Sequence, residues 1–409
     1  MNDNVIVGID IGTTKICTVI GEIANDGVLD IIGEGTVPSD GMRKGVVINL
    51  EQTISAVRES VAAAERMAGI GVEKAWIGVS GNQLKALTSH GMSAIRRGQA
   101  ISASDINRTI ENAQAVPIDN NLEVIHVIPQ EYKVDGNEGI KDPLGMSGIR
   151  LEVDVHIIAN GQGALQNLRR CVEEAGIVVQ GVTYQALASG LAVLEPSEKE
   201  SISLLIDIGG GTTDIGVFKR GTLAHSSVIA IGGDHITQDI SHIAKIPLKE
   251  AERIKKNYGV AVPNLTDRDV VLEISNPNYT TSVTTFELAQ IINPRVAEIF
   301  DLAKQEVEQK MGSIEVSVSN VILTGGASLM SGMDKVASDR FNLPVRIAKP
   351  YNISGLTDIV SSPAHSTAVG LIRFGMTRLG GNEIKLSRKM GTKGSGLLES
   401  IKKFFKDFF

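Results

Sequence analysis

Cysteine is scarce in this 409-residue sequence, and long hydrophobic runs are missing altogether. The two cysteines, Cys17 and Cys171, lie in apolar segments, so we expect two reduced core thiols and no disulfide. No run of about 18 apolar residues occurs, which argues against a membrane-spanning helix. The N-terminus enters an apolar, strand-like run without the basic and hydrophobic regions of a signal peptide. These absences predict a cytoplasmic protein.

Aromatic residues make up only 4% of the chain, and their distribution is uneven. Four of the nine phenylalanines lie in the last six positions. The charge is uneven too: from residue 381 onward, seven basic and three acidic residues give a local charge of +4. The preceding residues therefore carry −11, because the whole chain carries −7. An acidic body argues against nucleic-acid binding, and the basic end favours attraction to an anionic surface.

The sequence does contain an alternation of two hydrophobic periodicities. Short apolar runs that end at Gly, Asn or Asp predict strands, and longer segments with a period of about 3.6 residues predict helices. The alternation of the two is typical of an α/β fold. Because 409 residues exceed what one hydrophobic core normally supports, we expect at least two domains.

One motif occurs twice, about half a chain apart. GIDIGTTKICTVIGE at 8–22 is echoed by LIDIGGGTTDIGVFK at 205–219, which predicts two related halves that open with the same strand–turn–strand. In each copy a strand ends at an aspartate, Asp10 or Asp207, and a turn of glycine and threonine follows. Such turns can donate to phosphate, and the carboxylate can hold a hydrated Mg²⁺. Either turn alone would be better explained as an ordinary glycine-rich hairpin than as a phosphate-binding turn. The presence of two such turns indicates phosphate binding.

A third glycine turn, LTGGAS at 323–328, follows another apolar run. None of the three turns has the G-x-x-x-x-G-K-[ST] pattern of a Walker A loop, and neither hairpin opens a helix as G-x-G-x-x-G does. The two hairpins, this turn and the segments YQALASGLAVL (184–194) and SSPAHSTAVGLI (361–372) form an ordered set of five motifs. In this order they resemble the motifs of the actin/Hsp70/sugar-kinase superfamily.

The resemblance implies a site for ATP and Mg²⁺. Asp10 and Asp207 would hold the metal through water and would act in catalysis with Gln185. Since Gln185 stands where Hsp70-like ATPases carry glutamate, hydrolysis would be weak or slow. A polar side chain without a catalytic role is an equal alternative for Gln185. The charged segment at 250–259 would contact adenosine, although a solvated helix is an equal alternative. The residues implied to bind the nucleotide are Gly12, Thr13, Thr14, Lys15, Gly209, Gly210, Gly211, Thr212, Thr213, Glu252, Lys255, Lys256, Gly325 and Gly326.

The segment at 127–158 indicates one branch of this superfamily. It resembles the small extra subdomain of FtsA, the actin-like family of bacterial cell-division proteins. INPRVAEIF (292–300) and NISGLTDIV (352–360) also resemble that family, and the resemblance spans residues 4–409. Two alternatives stay open. One is a sugar-type kinase, for which no acidic motif at a substrate cleft is evident. The other is the related pilus-assembly scaffold.

The resemblance to FtsA implies an actin-like two-domain ATPase fold with duplicated ribonuclease-H-like halves, an extra subdomain in the first half and a C-terminal amphipathic helix. The expected segments are 1–83 and 163–195 (first half), 84–162 (extra subdomain), 196–241 and 315–372 (second half), 242–314 (subdomain of the second half), 373–379 (helix returning to the first half), 380–396 (flexible linker) and 397–409 (amphipathic helix).

The same resemblance implies a role in cell division. Such a protein polymerises on the inner face of the cytoplasmic membrane, anchors the ring of the tubulin-like FtsZ and recruits later septum-forming proteins. Arg295 matches the family position that meets the C-terminal peptide of FtsZ, and a surface ion pair is the alternative role for it. The expected location is therefore the division site, peripheral to the membrane.

The last residues predict a membrane-binding helix. At 100° per residue their apolar side chains fall within an arc of about 140°, and polar residues fill the opposite side. A helix of this length is about 20 Å long, too short to span a bilayer but suited to the headgroup plane. Docking on the protein's own core is the alternative, but it would not need the glycine-rich linker. The apolar residues are Leu397, Leu398, Ile401, Phe404, Phe405, Phe408 and Phe409.

Overall fold

The structure is a computed structural model and describes residues 4–24, 28–268, 270–276 and 279–386. Its strands are β1 (Val5–Ile11), β2 (Lys15–Ile23), β3 (Leu29–Pro38), β4 (Met42–Arg43), β5 (Val46–Val47), β6 (Lys74–Val79), β7 (Lys85–Ala94), β8 (Leu122–Val134), β9 (Asn137–Ile140), β10 (Arg150–Gly161), β11 (Val178–Tyr184), β12 (Ile202–Ile208), β13 (Thr213–Lys219), β14 (Thr222–Ile229), β15 (Val271–Asn276), β16 (Tyr279–Thr284), β17 (Asn320–Thr324), β18 (Val345–Ile347) and β19 (Ile353–Gly355). Its α-helices are α1 (Leu50–Ala68), α2 (Ala103–Gln114), α3 (Gln162–Glu174), α4 (Gln185–Val193), α5 (Pro196–Glu200), α6 (Gly233–Ala244), α7 (Leu248–Tyr258), α8 (Thr285–Met311), α9 (Ile314–Ser317), α10 (Met333–Phe341), α11 (Thr357–Val360) and α12 (Ser366–Leu386). Short 3-10 turns lie at Pro263–Leu265, Gly326–Leu329 and Pro363–His365.

The first half is built on a six-stranded sheet with the order β11-β6-β1-β2-β3-β19. β1 and β2 form an antiparallel hairpin, and β6 runs parallel to β1 on its other side. Every residue of β1 is buried, as expected for a strand covered on both faces. β3 alternates buried with more exposed residues and packs against α1. Gly35 allows this close packing, since a β-carbon there would lie 2.1 Å from the carbonyl oxygen of Ser60.

The second half repeats this arrangement in a five-stranded sheet with the order β14-β13-β12-β17-β18. β12 and β13 form the antiparallel hairpin, and β17 runs parallel to β12. When β3-β2-β1-β6-β11 is compared with β14-β13-β12-β17-β18, the strands agree in order and in direction. The prediction of two related halves that open with the same hairpin is confirmed.

Two helices lie between these sheets and join the halves. α4 packs against α12 and contacts strands of both sheets, among them β6, β12 and β13, while α12 packs against β1 and β2. Gly370 allows the two helices to touch, because a β-carbon there would lie 1.8 Å from the carbonyl oxygen of Ala188. A single hydrophobic cluster therefore extends from Trp76 in the first half to Phe218 in the second.

A separate antiparallel sheet, with the order β7-β10-β8-β9, interrupts the first half. α2 packs against β7 and β10, and its Ile106 and Ile110 share a hydrophobic cluster with Val153 of β10. The sheet also contacts β14 of the second half. At this contact His156 and Ser226 are both buried and share a hydrogen bond of 2.8 Å. The inserted unit thus has its own core and a polar contact to the rest of the protein.

The C-terminal helix is longer than the sequence pattern predicts. The glycine-rich composition predicts a flexible linker from residue 380, but α12 continues to Leu386. Good helix formers such as Glu383 and Lys385 follow the glycine pair and account for this extension. The rest of the linker and the amphipathic segment 397–409 lie outside the described residues. Within the described part of the chain, no helix has both the length and the apolar character needed to cross a membrane.

Candidate functional site

The two repeated turns have the same backbone geometry. In the first turn the N–H of Gly12 donates to the carbonyl oxygen of Lys15 at 2.9 Å. In the second turn the N–H of Gly209 donates to the carbonyl oxygen of Thr212, also at 2.9 Å. Each turn joins the strands of one hairpin, β1–β2 or β12–β13. The repeat in the sequence is therefore also a repeat in hydrogen bonding.

These turns come from different halves and face each other. A β-carbon built on Gly210 would lie 1.7 Å from Oγ1 of Thr14, and one on Gly211 would lie 2.6 Å from Oγ1 of Thr13. Both distances are well below van der Waals contact, so only glycine fits at 210 and 211 in this arrangement. The structure thus brings the threonines of the first turn against the glycines of the second.

Asp10 is buried near the end of β1 and accepts a hydrogen bond from Nε2 of Gln185 at 3.0 Å. Burial raises the pKa of its carboxyl to about 6, the Lys15 ammonium opposes this rise, and the Asp207 carboxylate adds to it. The raised pKa shows that the charged form is poorly solvated, so a cation at this place would stabilise it. Lys15 also donates from Nζ to the carbonyl oxygen of Ala364.

Asp207 occupies the matching position on β12. Its carboxylate accepts hydrogen bonds from the hydroxyls of Ser189 on α4 and Thr367 on α12, the second at 3.1 Å. Burial raises the pKa of Asp207, although these hydroxyls oppose the rise. A β-carbon on Gly325 would lie 2.3 Å from Oδ1 of Asp207, and the φ of Gly325 is +86°, so this turn also requires glycine. The third glycine turn therefore meets the second aspartate.

Two further carboxylates at this place are missed by the sequence reasoning. Asp214 is buried and accepts hydrogen bonds from Ser80 at 2.7 Å and from Thr212 at 3.3 Å. Burial raises the pKa of Asp214 well above its usual range. Asp234, near the start of α6, accepts a hydrogen bond from Thr14 at 3.3 Å, and burial raises its pKa as well. Of these two aspartates, only Asp214 has a sequence feature that could have identified it, which is its position directly after the second turn.

The charged residues of α7 lie beside the start of α6. Glu252 forms ion pairs with Lys255 at 2.6 Å and with Lys256 at 3.2 Å. Lys255 is largely buried and donates to the carbonyl oxygen of Gly233 at 3.0 Å. A β-carbon on Gly233 would in turn lie 3.2 Å from Cβ of Ala327, which follows Gly326 in the third turn. α7 and the third glycine turn therefore border the same region.

A separate groove of about 970 Å³ lies between α6, β16 and α8. Arg295 reaches it from α8 and donates to Asp239 from Nε at 2.6 Å and from Nη2 at 3.0 Å. Arg295 also donates to Glu298, so the ion pair considered as its alternative role is present. Its side chain is 25% exposed. The groove is lined by Asp239, Ile243, Ala244, Lys245, Ser282, Val283, Glu287, Gln290, Ile291, Pro294, Arg295 and Glu298.

Comparison with known proteins assigns the chain to a family. Residues 204–370 match the family described as Cell division protein FtsA, and residues 81–159 match the SHS2 domain inserted in FtsA. The chain is 39% identical over 375 residues to the Cell division protein FtsA of Pseudomonas aeruginosa, which covers 91% of this chain and 89% of that protein. The chain belongs to the FtsA family.

Other FtsA proteins show the same relationship. The Cell division protein FtsA of Escherichia coli (strain K12) is 35% identical over 378 residues, or 90% of each chain. That of Bacillus subtilis (strain 168) is 38% identical over 376 residues, 91% of this chain and 84% of the relative. The protein is therefore an actin-like cell-division protein with a role at the division site.

Two solved structures share the fold of this chain. The PilM-PilN type IV pilus biogenesis complex matches with a TM-score of 0.66 and 16% identity, over 90% of this chain and 97% of that chain. MreB 5 of Spiroplasma citri bound to AMPPNP matches with a TM-score of 0.56 and 14% identity, over 94% and 99%. At such identities these matches show the actin-like fold alone, and they confirm the predicted fold class. The pilus protein is thus a relative in fold, whereas FtsA is the family.

Proposed function

We propose that this protein binds ATP and Mg²⁺ between its two halves and polymerises on the inner face of the cytoplasmic membrane. There it anchors the FtsZ ring and recruits the later septum-forming proteins. The observation that carries this proposal is the convergence of three glycine turns on buried aspartates from both halves. The binding of AMPPNP by MreB 5, a protein of the same fold, also supports a nucleotide at this place.

The two hairpin turns supply the groups that a triphosphate needs. Backbone N–H groups of both turns and the hydroxyl of Thr13 donate to phosphate oxygens, while Lys15 contributes positive charge. Thr14 serves through its backbone N–H, because its hydroxyl donates to Asp234 at 3.3 Å. The hydroxyl of Thr213 already donates to the carbonyl oxygen of Ile231 at 2.8 Å, so Thr213 serves through its backbone. A bound Mg²⁺ neutralises phosphate charge. The carboxylates of Asp10 and Asp207, which burial leaves poorly solvated, hold that ion through water.

Gln185 limits the chemistry of the site. Its amide donates to Asp10 and can orient a water molecule, but an amide cannot take up a proton as a carboxylate does. Asp10 is itself held by this hydrogen bond and is therefore positioned for the metal. We expect an ATPase activity that is weak at most, with the bound nucleotide acting mainly on the arrangement of the two halves.

The groove along α8 is the proposed site for the C-terminal peptide of FtsZ. An acidic group of the peptide replaces Glu298, whose side chain is 46% exposed, as the partner of Arg295. Asp239 keeps the guanidinium in place during this exchange, since it binds the guanidinium through two nitrogens. Charge-assisted contacts of this kind are stronger than neutral hydrogen bonds and favour an acidic ligand.

The segment 397–409 is the proposed membrane anchor. Seven apolar side chains at about 1 kcal/mol each must offset the ordering of the peptide and its loss of translational freedom, so one copy binds a membrane weakly. A filament presents many copies on one surface, and their combined avidity is far higher than that of one helix. Because firm membrane binding needs many copies of the helix, the proposal explains why such a helix is combined with an actin-like polymer.

Co-sedimentation with vesicles that contain anionic lipid tests the proposed function. The full chain, with ATP and Mg²⁺, is expected to carry FtsZ into the lipid pellet, whereas a chain that ends at residue 396 leaves both proteins in the supernatant. Recovery of FtsZ with the truncated chain would contradict the anchor. If the full chain bound the vesicles but FtsZ stayed in the supernatant, the proposal that FtsZ is the partner would be contradicted instead.

A further inference from the structure

Three side chains from distant parts of the chain meet next to the first glycine turn. Cys17 lies on β2, Glu34 on the neighbouring β3, and His365 in the 3-10 turn before α12. Sγ of Cys17 is 3.8 Å from Oε1 of Glu34, and Nε2 of His365 is 3.5 Å from the same oxygen. One ligand atom from each residue lies within 4.8 Å of the other two. Three chemically different metal ligands are therefore gathered at one point.

These separations are close to those around a tetrahedral metal ion. With Zn–S near 2.3 Å and Zn–N or Zn–O near 2.0–2.1 Å, the ligand atoms of a tetrahedral shell lie about 3.3–3.6 Å apart. The sulfur–oxygen and nitrogen–oxygen pairs of the cluster therefore need to shorten by only about 0.2–0.3 Å to reach that shell. The remaining sulfur–nitrogen pair lies within 4.8 Å and needs to shorten by at most about 1.3 Å.

The cluster is shielded from solvent. Cys17 is fully buried, and the side chains of Glu34 and His365 are 11% and 14% exposed. Nδ1 of His365 is buried and meets no hydrogen-bond partner among the residues that the structure describes. A neutral imidazole that binds an ion through Nε2, the nitrogen that faces Glu34, carries its proton on Nδ1.

The ligand atoms favour one class of cation. Sulfur, imidazole nitrogen and carboxylate oxygen are the ligands that Zn²⁺ takes in proteins, whereas Mg²⁺ prefers oxygen alone. Zn²⁺ with one thiolate and one carboxylate carries no net charge, which lowers the cost of burying the ion. The Lys15 ammonium is nearby, but it is bonded to the carbonyl oxygen of Ala364.

We propose that Cys17, Glu34 and His365 bind Zn²⁺, with water as the fourth ligand. Binding breaks the S–H bond of Cys17, forms a Zn–S bond and releases the proton to solvent, and no electron is transferred. The ion joins β2 and β3 to the turn Pro363–His365. Because Ala364 of that turn accepts a hydrogen bond from Lys15, the ion also fixes Lys15 beside the first glycine turn.

Cobalt(II) is the probe, because a Co²⁺–thiolate bond gives a charge-transfer band in the near ultraviolet and the chain has only two cysteines. The full chain is reduced, freed of metal with a chelator and titrated with Co²⁺. We expect a band that saturates at one equivalent and disappears when Zn²⁺ is added. Cys17→Ala removes this band, whereas Cys171→Ala, which removes the other buried thiol, keeps it.

Two further variants decide the question if Cys17→Ala does not fold. Glu34→Gln and His365→Gln each remove one ligand and are expected to weaken Zn²⁺ binding about tenfold or more, measured by competition with a chromophoric chelator. Zn²⁺ should raise the unfolding temperature of the unaltered chain more than that of either variant. The lack of a band at one equivalent of Co²⁺, or a band that persists in Cys17→Ala, overturns the proposal and leaves the cluster as a hydrogen-bond network.

Discussion

Gly210 and Thr14 belong to opposite halves of the protein, yet a β-carbon on Gly210 would lie 1.7 Å from Oγ1 of Thr14. The same β-carbon would lie 3.0 Å from Oδ1 of Asp234. A side chain at 210 is therefore blocked both by the facing turn and by the start of α6. Because the two turns face each other, a phosphate group bound at one turn, as we propose, would also contact the other.

Gly210→Val is expected to abolish nucleotide binding while the fold is kept. The branched side chain separates the turns and removes several phosphate donors, each worth ~1.5–3 kcal/mol for a charged acceptor, so affinity should fall about a hundredfold or more. Titration with a fluorescent ATP analogue measures this loss. The control is Gly163→Ala on α3, where an added β-carbon meets nothing within 4 Å. Wild-type affinity in Gly210→Val would exclude the second turn from the site.

Arg295→Glu is expected to weaken binding of an FtsZ C-terminal peptide about tenfold or more, because a charge-assisted bond worth ~1.5–3 kcal/mol is replaced by repulsion. The new carboxylate would also face Asp239 and Glu298, which now hold Arg295. Isothermal titration of the peptide gives the affinity. Arg66→Glu, the same charge reversal at an exposed position of α1, is the control. Equal affinity of both variants for the peptide would remove Arg295 from the interface.

The glycine turns could be predicted from the sequence because their chemistry is local. A strand that ends at aspartate and continues into glycine and threonine specifies a hairpin within a dozen residues, and both copies have that geometry. The duplicated sheet order follows from the same repeat. The end of α12 was less predictable, since a glycine pair is typical of a linker but helix formers follow it.

Contacts between distant residues could not be predicted in this way. Ser80 and Asp214 are 134 residues apart and meet only because the two halves pack together. Asp239 and Arg295 lie on different helices, so the ion pair depends on how α6 packs against α8. Periodicity reports which face of an element is buried, but it carries no information on which element lies opposite. Such partners emerge only from the tertiary arrangement.

His156→Gln is expected to reduce the loss of stability in mild acid. Burial lowers the pKa of His156 to about 4 in the folded protein, whereas an unfolded histidine titrates near 6.5. Between these values the unfolded chain binds a proton that the folded chain does not, so the free energy of unfolding falls as the pH is lowered. Over this pH range the free energy of unfolding should fall by about 3 kcal/mol because of His156, and this decrease should be missing in the variant.

Urea unfolding at pH values between 7 and 4 measures this difference for His156. The control is His242→Gln, which removes an exposed histidine of α6 instead of a buried one. If both variants lost stability with falling pH as steeply as the unaltered chain, burial of His156 would not contribute to the acid sensitivity of the fold.

Replacement of Phe404 and Phe408 by Glu is expected to abolish binding to lipid vesicles. Both residues lie within the predicted apolar arc, so the change removes buried apolar area and places charge against the membrane. Lys402→Ala with Lys403→Ala is the matched double variant on the polar side. It should weaken binding mainly to anionic lipid, because each lysine near such a surface is worth only about 1 kcal/mol and is screened by salt. Both proteins should bind ATP normally; a lower unfolding temperature or lost nucleotide binding in the Phe→Glu protein would identify the segment as a docked helix instead.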